Sequence, residues 1–148
     1  MKIRVFGAGL LPSSATKPRA VAGVCRQILK GEGVDGPGEV NIVFLDREKM
    51  RALNKSFLGQ DRDTDVIAFP YAEDPGPVQP EKPFGDIFIS AHLARVQAEE
   101  VGHAVLDEVL FLTAHGTLHL LGYDDSTSRK RAVMFGKQER ALKARKAS

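Results

Sequence analysis

The chain has 148 residues, 43% hydrophobic and 27% charged, with a formal net charge of +2 and one cysteine. That is ordinary soluble-globular composition, and the length suits a single domain spanning 1–148 around one core. It excludes a membrane-spanning helix, because no apolar run approaches the ~20 residues a bilayer needs, and it excludes a cage of thiolates around a structural metal, because Cys25 stands alone.

The N-terminus, MKIRVFGAGLL, has too little uninterrupted apolar sequence for a secretion signal, so a cytoplasmic protein is expected. Residues 2–6 alternate polar and apolar with Ile3 and Val5 on one side, the pattern of a short strand. Beyond Pro12, Ser14 or Thr16 is placed to cap a helix that accepts Pro18 in its first turn. Val21, Val24, Cys25, Ile28 and Leu29 then recur at helical spacing as one buried stripe, which makes Cys25 a small core residue rather than a nucleophile. Gly31 and Gly33 end that helix.

Gly36-Pro37-Gly38 reads as a turn, and Val40, Ile42 and Phe44 alternate with Asn41, Val43 and Leu45 in a central strand at least partly covered on both faces. Asp46 caps a helix from about Glu48 to Phe57, in which Met50, Leu53 and Phe57 recur at intervals of three and four before Gly59 stops it. Val66–Phe69 form another strand. The stretch from Ala72 to Phe84, with Pro75, Pro77, Pro80 and Pro83, reads as an irregular loop between this strand and the next, Gly85–Ser90, so the two flanking strands are expected to pair. Ser90 caps a helix over Ala91–Val101 with Leu93, Val96 and Val101 inward, ending at Gly102. His92 and His103 are isolated and suit capping or surface roles.

The following stretch, VLDEVLFLTAHGTLHLLGYDD from Val105 to Asp125, carries the chemistry. Its first half is apolar on most sides, as in a helix buried at the centre of a domain. His115 and His119 stand four residues apart, so a helix displaces them by about 6 Å along one face and both imidazoles can converge on one ion. Gly122 is suited to end the helix in a left-handed conformation, which turns Asp124 and Asp125 back beside the histidines. Asp125 can then be a third ligand, although chemistry alone does not choose between it and Asp124. Three ligands with an open fourth position make the catalytic kind of zinc site, and a bound zinc lowers the pKa of its water to about 7. Metalloproteases with HExxH use a glutamate after the first histidine as base, but here that residue is Gly116, which disfavours a zinc peptidase.

Ser126 or Thr127 caps a last helix whose modest apolar content is Ala132, Val133 and Phe135. From Arg129 onward, eight Lys or Arg stand against Glu139 alone, so this end carries +7 and the remainder −5. Such an end suits contact with nucleic-acid phosphates and equally suits a solvated helix.

Two blocks and one strand make a longer pattern. The run from His115 to Asp125 resembles the signature of the YbeY family of endoribonucleases, also described as ribosomal RNA maturation factors. Asn54 to Pro70 (NKSFLGQDRDTDVIAFP) is similar to that family's second block at Asn54, Gly59, Asp61, Thr64, Asp65, Val66, Phe69 and Pro70, and GDIFIS resembles its GDIxIS strand. The resemblance implies a zinc ion on His115, His119 and Asp125, with Asp125 standing where the family carries a third histidine. It also places Leu58 at the position of an arginine implicated in RNA cleavage, and Asp63 at that of a proline; Arg62 in the same loop is a substitute candidate for contacting RNA.

The order strand, helix, strand, helix, strand, strand, then helices indicates an α+β fold, a small mixed sheet packed with helices and a metal site on a central helix. The resemblance implies a metal-dependent endoribonuclease acting on single-stranded RNA in ribosomal RNA maturation and ribosome quality control, with ribosomal RNA and the small ribosomal subunit as partners. A different class is an RNA-binding or ribosome-assembly factor whose metal is structural, since Leu58 and Asp125 both fall on positions tied to catalysis.

Overall fold

The computed structural model describes residues 1–34, 36–71 and 83–147. Strand β1 (Lys2–Phe6) leads through a 3₁₀ turn at Ala8–Leu10 to helix α1 (Pro18–Gly31), which crosses over to β2 (Glu39–Leu45). Helix α2 (Arg47–Leu58) precedes β3 (Val66–Pro70) and β4 (Pro83–Ser90), and the chain finishes as α3 (Ala91–Val101), α4 (Val105–Leu120) and α5 (Ser128–Ala147). The sheet order is β1-β2-β4-β3, with β1, β2 and β4 parallel and β3 antiparallel to β4. The mixed α+β architecture is therefore as expected, and so is the β3–β4 pair.

Register explains where the core lies. Val5 pairs with Ile42, Ile42 with Ile87, and Ile87 with Ala68, so one face of the sheet presents an unbroken apolar row. The neighbouring row runs from Phe44 through Ile89 to Val66. Val40, Ile42, Phe44, Ile87 and Ile89 are fully buried in this face, under the stripe Val21, Val24, Cys25, Ile28 and Leu29 of α1 and under α4. Burial pushes the Cys25 thiol up to about 11, which removes it from nucleophilic chemistry. The opposite face is more polar: Asn41 Nδ2 donates to Asp86 Oδ1 (3.1 Å) and Tyr71 Oη to Asp86 Oδ2 (2.7 Å). Phe57 of α2 packs edge-on to Phe69 on that side, and Phe69 edge-on to Phe88.

Helix α4 meets the sheet closely at a glycine on each side of the contact. A Cβ on Gly116 would lie 2.6 Å from Ile87 Cγ2 and 2.9 Å from Val66 Cγ2, both closer than carbon atoms tolerate. One turn later Leu120 occupies the space over Gly85, where a Cβ would also collide with its δ-methyl. The pair Gly116 and Gly85 sets the distance between helix and sheet.

Several expected boundaries and faces differ. Neither Ser14 nor Thr16 caps α1: Lys17 is the N-cap with no side-chain bond, Pro18 fills the first turn, and Thr16 Oγ1 instead donates to Ala8 O (2.9 Å). β4 begins at Pro83, two residues before the expected start; the rest of the proline-rich stretch, 72–82, lies outside the described residues. In α3 the inward residues are Ala91, Ala94 and Ala98, while Val101 is 69% exposed. Small residues let α3 approach α4 closely, and apolar size alone misleads there. In α5, Met134 and Ala141 enter the core together with Gln138, while Ala132, Val133 and Phe135 face outward. Likewise Phe57 is 67% exposed on α2, where Met50 and Asn54 are the buried residues.

Candidate metal centre

The last two turns of α4 present His115 and His119 on the face about a quarter-turn round the helix from Gly116 and Leu120, which press onto the sheet. Their Nε2 atoms are 2.9 Å apart, with the rings edge to face. Helix α4 then stops in a Schellman turn: Gly122, at φ 96°, donates to His119 O (3.0 Å) and Tyr123 N to Leu118 O (3.0 Å). This turn brings Asp125 back, so that its Oδ2 lies 3.6 Å from His115 Nε2. One ligand atom from each of His115, His119 and Asp125 falls within 4.8 Å of the others.

The two aspartates, equivalent to chemistry at the level of sequence, have different occupations. Asp124 Oδ1 accepts from Ser126 Oγ (2.7 Å) and Ser126 N (3.0 Å), and its Oδ2 from Lys130 Nζ (3.2 Å). These bonds, those from Ser126 first, lower its carboxyl to about 2. Asp124 is thus committed to the start of α5, which Thr127 caps by accepting from Lys130 N. The Asp125 carboxylate faces the histidines.

Each imidazole has a partner on its far nitrogen. His119 Nδ1 donates to Tyr123 O (2.9 Å), which leaves Nε2 with its lone pair toward the site. His115 Nδ1 lies 2.7 Å from Nε2 of the Gln138 amide, on a residue of α5 that is 2% exposed. For Nε2 of His115 to hold a metal, Nδ1 must carry the proton and the amide must present its oxygen. Burial, and then the neighbouring His119, lowers the pKa of His115, with Asp125 and Asp65 opposing, so the neutral form that metals need is favoured.

The turn itself is clamped. Tyr123 Oη donates to Glu32 at the end of α1 (3.0 Å), and Lys137 of α5 pairs with the same carboxylate (2.7 Å) while its ammonium lies 5.2 Å from the Tyr123 ring centroid. Lys137, and after it Tyr123, holds the Glu32 carboxyl below the usual range. Part of the basic C-terminal segment is thereby used within the molecule: Lys130 on Asp124, Lys137 on Glu32, and Arg131 Nη1 on Asp125 O (3.2 Å).

A tetrahedral ion with bonds of about 2.0–2.2 Å spaces its ligand atoms roughly 3.3–3.6 Å apart, so these donors fit one divalent ion once the histidine pair opens by a few tenths of an ångström and the Asp125 carboxylate closes on His119 by about 1 Å. Two imidazoles and a carboxylate leave a net charge of +1 with such an ion, one less than three histidines would. A glutamate in place of Gly116 has no room against Ile87 and Val66, which physically closes the route to an HExxH peptidase. His103 pairs with Glu108 (2.8 Å), away from this cluster. Arg62 is exposed; among the described residues its backbone carbonyl accepts from Asn54 Nδ2 (3.0 Å), and no hydrogen bond or ion pair carries its guanidinium to the three donors. Leu58 is 53% exposed at the end of α2. Gln138, Tyr123 and Glu32 were not identifiable from the sequence, since their contacts join elements far apart in the chain.

The family model described as Endoribonuclease YbeY matches residues 13–146. The chain belongs to the YbeY family. An endoribonuclease YbeY of Desulforamulus reducens is 42% identical over 127 residues, covering 84% of this chain and 83% of the relative. One of Bacillus licheniformis is 44% identical over 117 residues, covering 75% and 74%. Among solved structures, the solution structure of TM1509 from Thermotoga maritima superposes with a TM-score of 0.65 at 28% identity, over 97% of this chain and 88% of that one. Of the two positions singled out by the resemblance, Asp125 lies within the cluster just described and Leu58 at the end of α2.

Proposed function

We propose that the chain is a metal-dependent endoribonuclease that hydrolyses single-stranded RNA during ribosomal RNA maturation and ribosome quality control, with zinc held by His115, His119 and Asp125. RNA cleavage is the activity of the family to which the chain belongs. The observation that carries the metal is the convergence of three ligand atoms within 4.8 Å, each histidine steadied through its other nitrogen. A zinc ion there supplies an activated water or polarises a phosphoryl oxygen. The residues do the rest: Gln138 and the Tyr123 carbonyl orient the imidazoles, and the exposed carboxylate of Asp125 leaves the site open to a substrate as large as RNA. Ribosomal RNA on the small ribosomal subunit is the proposed substrate context, the cytoplasm the proposed location, and Arg62 a proposed RNA contact.

A second reading, an RNA-binding assembly factor with a structural metal, is favoured by the apolar, exposed Leu58, which cannot stabilise charge on a phosphate as a guanidinium does. Incubating zinc-loaded protein with single-stranded ribosomal RNA fragments separates the two. The proposal expects discrete cleavage products that vanish in the Asp125→Ala variant and after chelation. RNA retention without products at any zinc concentration supports the assembly factor instead.

A further inference from the structure

Beside the metal centre, on its α5 side, runs an open groove of about 390 Å³, within the range of about 300–1,000 Å³ typical of ligand sites. It shares His115 and Asp125 with the centre, and its walls come from Phe111 on α4 and from Ala132 and Phe135 on α5. Arg131 stands at its edge. We infer that this groove receives the nucleotide next to the bond cleaved at the metal, its base against Phe135 and its phosphate on Arg131. The inference rests on the ribonuclease reading above and specifies where that substrate sits.

Three observations carry it. Phe135 is 56% exposed on a helix whose inward side is Met134, Gln138 and Ala141, so it contributes little to the core; yet its ring forms one wall of a groove that reaches a metal ligand. Across the groove, Phe111 is stacked near-parallel to the His115 ring (17°, centroids 6.3 Å apart), so aromatic surface continues up to the ligand itself. Arg131 is held in place by two bonds, Nη1 to Asp125 O (3.2 Å) and Nη2 to Ser128 Oγ (3.0 Å). Those bonds use two of the five N–H donors of a guanidinium, and a phosphate oxygen is the acceptor that suits the remainder.

A flat apolar slot with a guanidinium at its edge matches a nucleotide, which pairs a stacking face with an anion. An aliphatic ligand would make no use of the remaining Arg131 donors, and a purely anionic one would leave Phe135 in water.

The test is binding of a short fluorescein-labelled single-stranded RNA to zinc-loaded full chain, followed by anisotropy, using the intact strand and strands abasic at successive positions. Phe135→Ala is expected to weaken binding roughly tenfold, and Phe135→Trp to restore it. Wild type should lose affinity when one particular base is absent, a loss that Phe135→Ala no longer registers. Arg131→Gln should weaken binding and reduce the dependence of log K on log salt by about one unit. Wild type that binds RNA with Phe135→Ala and Arg131→Gln indistinguishable from it overturns the subsite alone. Wild type that neither binds nor cleaves RNA overturns the ribonuclease reading and the subsite with it.

Discussion

Gln138 is the residue on which the orientation of His115 depends. Its amide is buried, belongs to a different helix, and approaches Nδ1 to 2.7 Å. If His115 Nε2 takes the metal, Nδ1 becomes an obligatory donor, so the partner must accept. Gln138→Leu is therefore expected to lower zinc affinity by about 10–100-fold, whereas Gln138→Glu, a better acceptor, keeps or raises it. Competition against a chromophoric chelator measures both; equal affinity in the leucine variant would show that the amide plays no part in ligation. The two histidines were legible in the sequence from their helical spacing, and a stop glycine put a carboxylate back beside them, but only the resemblance chose Asp125 over Asp124. Gln138 was not legible, since one glutamine in a basic helix has no periodic signature and its contact spans 23 residues.

Helix α4 carries the site, and its seat on the sheet is a matter of two glycines. Alanine is better than glycine in a helix interior by about 1 kcal/mol. Against that, a methyl at position 116 meets Ile87 and Val66, both β-branched and stiff, and overpacking of this kind costs about 1–3 kcal/mol. The clash should prevail. Gly116→Ala is predicted to lose up to about 2 kcal/mol in urea denaturation, and a gain in stability would mean that helix and sheet separate more freely than their packing implies. Where an element packs on a sheet, as α1 does, the apolar stripe was readable from spacing. Where helices pack on each other through alanine, as α3 does with α4, spacing points to the larger Val101 as an inward residue although it faces water; on α5 the inward residues are Met134, Gln138 and Ala141, which spacing does not single out. Composition ranks residues by how much they prefer burial, but the approach of two helices ranks them by how little room they take.

Across the whole molecule, the order of elements followed from caps, turns and periodicity, while the strand order did not. The adjacency of β2 and β4 joins residues 45 apart in the chain, and only the assembled sheet, with α4 laid over it, expresses that pairing. The charge asymmetry is likewise a property of the assembled chain: the basic C-terminal segment folds back so that Lys130, Arg131 and Lys137 support the turn that carries Asp125. Core, clamp and turn together hold three ligand atoms in one place, and that convergence is the centre of the account.

Bound metal per chain, determined in protein purified with neither added metal nor chelator, tests it most directly, comparing wild type with Asp125→Ala and Asp124→Ala. The account predicts about one zinc per chain in wild type and in the Asp124 variant, and its loss in the Asp125 variant. Wild type that retains no metal and takes up none when zinc is added would contradict it, as would loss confined to the Asp124 variant.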